Sequence, residues 1–380
     1  MPESRRNTID MKLRILHSAD LHLDSPFEGL SAGKAAIRRS EQRELLSSLC
    51  ALARRESVDI VLLSGDLLDS DNTYYETGEE LVRCLGQIPA PVFISPGNHD
   101  YYSLKSPYAK LKLPENVHVF TGSSFEAVEL PGLNTTVYGA AFTDKRSKAL
   151  LSGFTVQRQS EHFNLMCIHG EVGAKDSSYN PITLRELADS GMDYVALGHI
   201  HKASGLQKSG NTWYSWPGCP EGRGFDETGE KFVSIVELSD SGCTLENHSI
   251  SSRRYETMTV DVTGTEPLLA IHTQLPDETV SDIYRIVLTG ETEDSPDINH
   301  LYSSLSEMFF ELQLRDETRL RRSVWERAGE DTLRGLFLMK LREQYDAAKS
   351  DSQRRQIEQA ARWGLAALDN MEEVVTHENK

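Results

Sequence analysis

Five short apolar runs in this chain end in the same way. Leu13 to Leu16 leads into SADLHLD, Ile60 to Leu63 into SGDLLD, Val92 to Ile94 into SPGNHD, Leu165 to Ile168 into HGE, and Tyr194 to Leu197 into GHIH. Runs this short, without polar alternation, suit strands covered on both faces. Val117 to Phe120 and Val137 to Ala140 read as two more. Helical patterns lie between them: Ile37, Glu41, Leu45, Leu49 and Leu52 recur at helical spacing, and Thr183 with Glu186 has the spacing of a capping box. This is the grammar of a layered α/β domain. In such a domain ligands bind at the carboxyl ends of the strands, so the five polar loops converge there.

The loops carry Asp20 and His22, Asp66 and Asp69, Asn98, His99 and Asp100, His169, and His199 with His201. Imidazole, carboxylate and amide oxygen without thiolate suit Mn²⁺, Fe or Zn. Seven ligands drawn from this set exceed the needs of one catalytic ion with an open position. Two ions about 3.5 to 4 Å apart, sharing one carboxylate, fit the number. Gly65, Gly97 and Gly198 precede ligands and are read as allowing tight turns. Taken singly, DLH or GD more often caps a helix or closes a turn, and one histidine among twelve is ordinarily a surface or core residue. The ordered conjunction of five motifs, each behind a strand, is what separates a metal centre from those readings.

At 380 residues the chain exceeds one ordinary core. Residues 1–11 are read as a disordered leader and 12–251 as the first domain. After Arg253 and Arg254 the pattern changes to a small βαβαβ unit, residues 252–318. Residues 319–380 read as helical, with Leu333, Phe337, Leu341 and Tyr345 on one stripe and Ile357, Ala361, Leu365 and Leu368 on another. Such helices bury their stripes against each other, against the body or against a partner. The net charge of −18 argues against general adhesion to nucleic acid or anionic membranes. Between Arg319 and Trp363, however, eleven Lys and Arg face seven Asp and Glu. That local excess is either a partner or phosphate contact or a solvated helix face. Five cysteines without a CxxC pair favour neither a disulfide framework nor structural zinc. With no membrane-spanning run and no secretion signal, a cytoplasmic location is expected.

DLH, GDLLD, GNHD, the histidine of IHG, and GHIH, in this order over residues 13 to 201, resemble the calcineurin-like metallophosphoesterase family. Within it the chain is most similar to SbcD-like DNA exonuclease subunits, and DLHLDSPF and WPGCPEGRGFDE resemble the YhaO-type branch. The resemblance implies a four-layer β-sandwich flanked by helices, with a small α/β cap domain and C-terminal helices. It implies two divalent metal ions, Mn²⁺ being the expected metal. Asp20, His22, Asp66 and His201 would hold one ion and Asp66, Asn98, His169 and His199 the other, with Asp66 as the bridge. His99 would assist the leaving oxygen or stabilise the transition state, while Asp100 fixes the loop. The implied partners are DNA and an SMC-like coiled-coil ATPase of SbcC or YhaN type, clasped by the C-terminal helices, in a homodimer.

Four side chains keep two readings each. Asp69 stands where many double-strand-break nucleases carry histidine; it either orients His99 or makes a loop hydrogen bond. Arg223, in PGCPEGRGFDE, either meets a substrate phosphate or pairs with Glu221 or Asp226. Tyr101 and Tyr102 either stack on unpaired bases or pack. The expected activity is a two-metal phosphodiesterase acting on DNA. The alternatives are a phosphodiesterase or phosphatase for nucleotides or other small phosphoesters, and a scaffold retaining the fold for recognition only.

Overall fold

The computed structural model describes residues 11–70 and 73–368. The expected leader lies outside them except for Met11. The chain divides into two compact units, Met1–Arg254 and Tyr255–Lys380.

In the first unit the strands and helices, in chain order, are β1 (Lys12–Ser18), α1 (Ala32–Arg55), β2 (Ile60–Leu63), α2 (Tyr75–Leu85), β3 (Val92–Ile94), β4 (Val117–Val119), β5 (Glu126–Leu130), β6 (Thr135–Gly139), β7 (Phe163–His169), α3 (Leu184–Asp189), β8 (Tyr194–Gly198), β9 (Gln207–Ser209), β10 (Thr212–Ser215), β11 (Val233–Ser239) and β12 (Gly242–His248). They build two six-stranded sheets, ordered β12-β11-β1-β2-β3-β4 and β9-β10-β8-β7-β6-β5. Strands β1 to β4 run parallel, as do β6, β7, β8 and β10; the other pairings are antiparallel.

Side chains on a strand alternate between faces, so each apolar run feeds two cores. Ile60 and Leu62 of β2 join Phe93, Leu165, Cys167, Tyr194 and Ala196 between the sheets. Val61 and Leu63 of the same strand pack with Leu45, Leu49 and Leu81 of α1 and α2. On the far side, Met166, Ile168, Val195 and Leu197 lie with Leu187 and Trp216. The result is a β-sandwich covered on its outer faces, the layered α/β architecture expected from the runs. The capping box at Thr183 forms, with the Glu186 amide donating to Thr183 Oγ1 and the Thr183 amide to Glu186 Oε2.

Leu45, Leu49 and Leu52 of the expected α1 stripe are buried, while its first turns face inward one residue later than expected. Ile37 is 47% exposed, while the inward positions include Arg38, Gln42, Leu45, Leu46, Leu49 and Leu52. Arg38 is fully buried because two carboxylates meet it: its Nη1 donates to Glu41 at 2.7 Å and to Glu221 at 2.5 Å. A charge at this depth is tolerated only when so paired.

The second unit begins with β13 (Tyr255–Asp261), α4 (Pro267–Gln274), β14 (Ile283–Thr289), α5 (Ile298–Leu305) and β15 (Glu311–Asp316). The three strands are parallel and lie in chain order, with Val260, Ile271, Ile286, Leu288, Leu301 and Leu305 in their core. Then come α6 (Arg322–Glu326), α7 (Leu333–Ala347) and α8 (Asp351–Leu368). Phe337, Leu338, Leu341 and Tyr345 of α7 and Ile357, Ala361 and Leu365 of α8 form one cluster with Val324 and Trp325. Of the three burials open to these helices, packing against each other is present. Leu333, expected on the buried stripe, is 69% exposed at the first turn, and Leu338 is buried instead. Part of the basic excess is internal: Arg319 pairs with Asp351 and Glu358, each at 2.9 Å.

Candidate metal centre

The strands β1, β2, β3, β7 and β8 end side by side, and their loops are tied together by backbone hydrogen bonds. The Asp20 amide donates to the Gly65 carbonyl (3.0 Å) and the His22 amide to the Asp66 carbonyl (2.9 Å). Asp100 is fully buried and accepts from the amides of Asp66, Leu67 and Gly97 at 3.1, 2.8 and 2.7 Å, and from the Tyr108 hydroxyl. The β2 and β3 loops are thereby held as one piece. Asp20, His22, Asp66 and His199 all have positive φ, at 55°, 45°, 51° and 96°. Such backbone is costly for residues with a Cβ and concentrates at functional sites.

Two of the three glycines have a different role from the one expected. Only Gly65 has a left-handed φ, +91°. At Gly97 a Cβ would lie 2.3 Å from Asp66 Oδ1, and at Gly198 it would lie 1.9 Å from the Ser64 carbonyl oxygen. These two let neighbouring loops approach rather than permitting a turn.

The seven expected ligands meet in this crevice. Ligand atoms of Asp20, His22 and His201 lie within 4.8 Å of one another, as do those of Asp20, Asp66 and His169. His169 Nε2 is 3.1 Å from Asn98 Oδ1, and His199 Nδ1 is 3.2 Å from the same oxygen. Asp66 Oδ2 stands between the halves, 3.8 Å from His22 Nε2 and 3.4 Å from His169 Nε2.

The tautomers follow from the acceptors. His22 Nδ1 donates to Asp69 Oδ1 (2.9 Å) and His201 Nδ1 to Glu227 Oε1 (2.6 Å), so both rings offer Nε2. Those two Nε2 atoms are 3.2 Å apart, a spacing that suits a shared cation, proton or metal, between them. His169 Nδ1 donates to the Ser64 carbonyl and turns its Nε2 toward Asn98 and Asp66 in the same way. This inward-facing array fits divalent cations, with carboxylates and a carbonyl orienting the imidazoles from behind.

The electrostatics agree. Burial pushes the Asp20 carboxyl up to about 6 and the His22 ring down to about 4. For Asp66 burial also opposes the charge, but the adjacent His169 and the other rings hold its carboxyl well below the usual range. The same pairing, with Asp66 and Asp20, outweighs burial at His169 and lifts it to about 9. The ionised Asp66 carboxylate thus sits at the middle of the array, where a divalent cation would meet it.

His99 is set apart. Its amide donates to Asp66 Oδ1 (2.9 Å), its side chain is 44% exposed, and its Nδ1 is 3.3 Å from the Asp69 carbonyl oxygen. The Asp69 carboxylate lies 3.7 Å from His99 but bonds His22 at 2.9 Å and Arg223 Nη1 at 3.2 Å. Asp69 therefore reaches the candidate proton donor mainly through its backbone. Arg223 pairs with neither Glu221 nor Asp226. Its Nη2 donates to Glu227 Oε1 at 2.8 Å, whereas Glu221 belongs to Arg38. Glu227, 6% exposed, closes the PGCPEGRGFDE segment four residues after Arg223, where nothing marks it as the carboxylate that holds His201. Tyr101 is half-buried in the loop after Asp100. Tyr179, likewise unmarked, stacks obliquely on His199 with ring centres 4.8 Å apart.

Residues 13–203 match the calcineurin-like phosphoesterase family. The chain belongs to that family. Its members hydrolyse phosphoesters with divalent metal ions. Among its relatives is the uncharacterized metallophosphoesterase YhaO of Bacillus subtilis, 30% identical over 300 residues that cover 73% of this chain and 72% of that one. A subunit of the nuclease SbcCD from the same organism is 25% identical, covering 59% of this chain and 66% of the relative. The DNA double-strand break repair protein Mre11 of Methanosarcina mazei is 26% identical over 68% of this chain and 41% of its own length. Among the described residues, no helix of this metallophosphoesterase is long and apolar enough to cross a membrane.

Proposed function

We propose that this metallophosphoesterase is a two-metal phosphodiesterase acting on DNA, with Mn²⁺ as the working ion. The observation that carries the reading is the array of Asp20, His22, Asp66, Asn98, His169, His199 and His201 around one carboxylate. Asp20, His22, Asp66 and His201 would hold one ion, and Asp66, Asn98, His169 and His199 the other. When bound, such a pair supplies Lewis acidity and lowers the pKa of the attacking water from ~15.7 toward 7.

The chain's own groups do the rest. Asp69 and Glu227 fix the His22 and His201 rings in the tautomer that offers Nε2. His99, anchored through its amide to Asp66 and partly open to solvent, transfers a proton to the departing alkoxide oxygen. The nuclease and break-repair names of two relatives support DNA as the substrate. The resemblance to SbcD-like subunits further implies an SMC-like ATPase partner and a homodimer, with α7 and α8 as the partner-binding segment. Deleting residues 330 to 380 then abolishes copurification with such an ATPase while sparing hydrolysis of a small diester.

Asp69, an aspartate where many break-processing nucleases carry histidine, favours a second reading, hydrolysis of nucleotides or other small phosphoesters. Metal-dependent assays on linear DNA, bis-p-nitrophenyl phosphate and p-nitrophenyl phosphate separate the two. Cleavage of DNA and the diester supports the first; cleavage of the monoester alone overturns it. A protein inert toward all three is the recognition scaffold.

A further inference from the structure

A cavity of about 630 Å³ opens beside His199 and His201, lined also by Lys202, Asp226, Glu227, Glu230 and Lys231. Lys231 is the unusual member. It lies just before β11 and is only 8% exposed, a depth at which lysines are rarely found without a partner. Yet its ammonium makes no hydrogen bond or ion pair with any described residue. Of the nearby carboxylates, Glu227 is committed to His201 and Arg223, and Asp226 and Glu230 are exposed and solvated. An ammonium without a counter-ion, carried on a buried stem at the wall of a cavity, is available to an incoming anion, and a charge-assisted hydrogen bond is the strongest return open to it.

The neighbourhood specifies which anion. The cavity shares His199 and His201 with the crevice where the scissile phosphate would sit, but its lining includes nothing from the β3 loop that carries His99. It is wide enough for a further nucleotide unit and carries a second, exposed cation, Lys202, in its wall. We propose that this cavity seats the phosphate adjacent to the scissile one in a nucleic-acid substrate, with the Lys231 ammonium as its counter-ion. The proposal rests on the phosphodiesterase reading and extends it: Lys231 favours a chain of phosphates over an isolated phosphoester, without taking part in bond cleavage. Its apolar stem packs as any buried side chain does, so the charge is the property to test.

The test compares the full chain with Lys231→Met, which keeps the stem, and Lys231→Arg, which keeps the charge. Binding of fluorescent dT10 is measured in EDTA over a range of salt concentrations, so no turnover is needed. Each phosphate neutralised on a single strand adds about 0.7 to the slope of log K against log salt. The slope is expected to shrink by about 0.7 in K231M and to return in K231R. With Mn²⁺ present, the ratio of kcat/KM on dT10 to that on bis-p-nitrophenyl phosphate, which cancels any general damage to the centre, is expected to fall roughly tenfold in K231M. An unchanged slope with an unchanged ratio overturns the proposal, as does a K231R variant that behaves like K231M while folded by circular dichroism. If the native chain hydrolyses no diester, the phosphodiesterase reading fails, while the slope still decides whether Lys231 meets a phosphate.

Discussion

Both units of this molecule place loops at the carboxyl ends of parallel strands, yet the two crevices are chemically unlike. In the first unit five strand ends bring four imidazoles, two carboxylates and an amide into one cluster, on backbone that includes four left-handed residues. In the second, a cavity of about 550 Å³ beyond β13 and β14 is lined by Glu266, Glu291, Glu293, Asp294, Asp297 and Arg321, among others. Its carboxylates are otherwise employed or solvated: Glu266 and Asp297 cap α4 and α5, and Glu293 pairs with Arg321 at 3.1 Å. No described non-glycine residue of that unit has a positive φ. Topology creates the crevice; the inward-facing lone pairs and the strained backbone beside them set the candidate metal centre apart.

The largest test of that contrast is Asp66→Asn. Loss of the shared carboxylate charge should remove bound metal by elemental analysis and lower diester turnover by more than about 10³-fold, whereas Glu293→Gln in the second crevice leaves metal content unchanged. Retention of both metals in Asp66→Asn would contradict the assignment. His99→Ala should keep the metal and lose about 10²- to 10⁴-fold in turnover; parallel loss of metal and rate would make His99 a ligand rather than a proton donor. Glu227→Leu, which unlocks the His201 tautomer, should weaken metal binding about 10- to 100-fold, measured by competition with a chelator.

Acid sensitivity should differ as well. His17 is buried between Tyr194 and Ser64, where desolvation depresses its ring to about 3, whereas His272 and His300 of the second unit are exposed. Its unfolded ring, near 6.5, takes up a proton first as the pH falls, so stability is full above that value and declines toward pH 3. The decline is about 1.4 kcal/mol per pH unit across that window. Urea titrations at pH 7 and pH 5.5 should show this decline in the native protein and a shallower one in His17→Gln. The smallest effect should erase the contrast: Thr183→Ala in the first unit and Asp297→Ala in the second each remove a helix cap and should each cost about 1 kcal/mol. A markedly larger loss in either would give that cap a second duty.

Much of the first unit is legible in the chain because strands covered on both faces are written as unbroken apolar runs, and a polar group right after one stands out. The exposed edge strands are harder to read. EAVEL in β5 and GCTLENH in β12 carry mixed residues, since one face meets solvent, and neither shows itself as a strand by its apolar content. In the site, the inner positions are marked by their motifs, but their supports are not. Glu227 has nothing to distinguish it from Glu221 or Asp226, because which carboxylate reaches Arg223 depends on the turn of a glycine-rich loop. Likewise Asp69 bonds the His22 ring rather than the His99 ring because the β1 loop runs alongside the β2 loop, with Leu23 bridged in parallel to Leu68, a tertiary fact absent from local spacing.

The buried Arg38 sets a limit on how far this catalytic body can be trimmed. The family match ends at residue 203, but Glu221, which neutralises Arg38, and Glu227, which holds His201, both come later, and β11 pairs along six residues of β1. A fragment stopping at that point would leave a sealed guanidinium short of one of its two carboxylates, a loss typically worth about 3 to 5 kcal/mol, and would open a raw edge beside the first strand. The autonomous piece has to run through Arg253, whose guanidinium grips Glu41 at 2.6 Å and closes the chain of alternating charges that begins at Glu221.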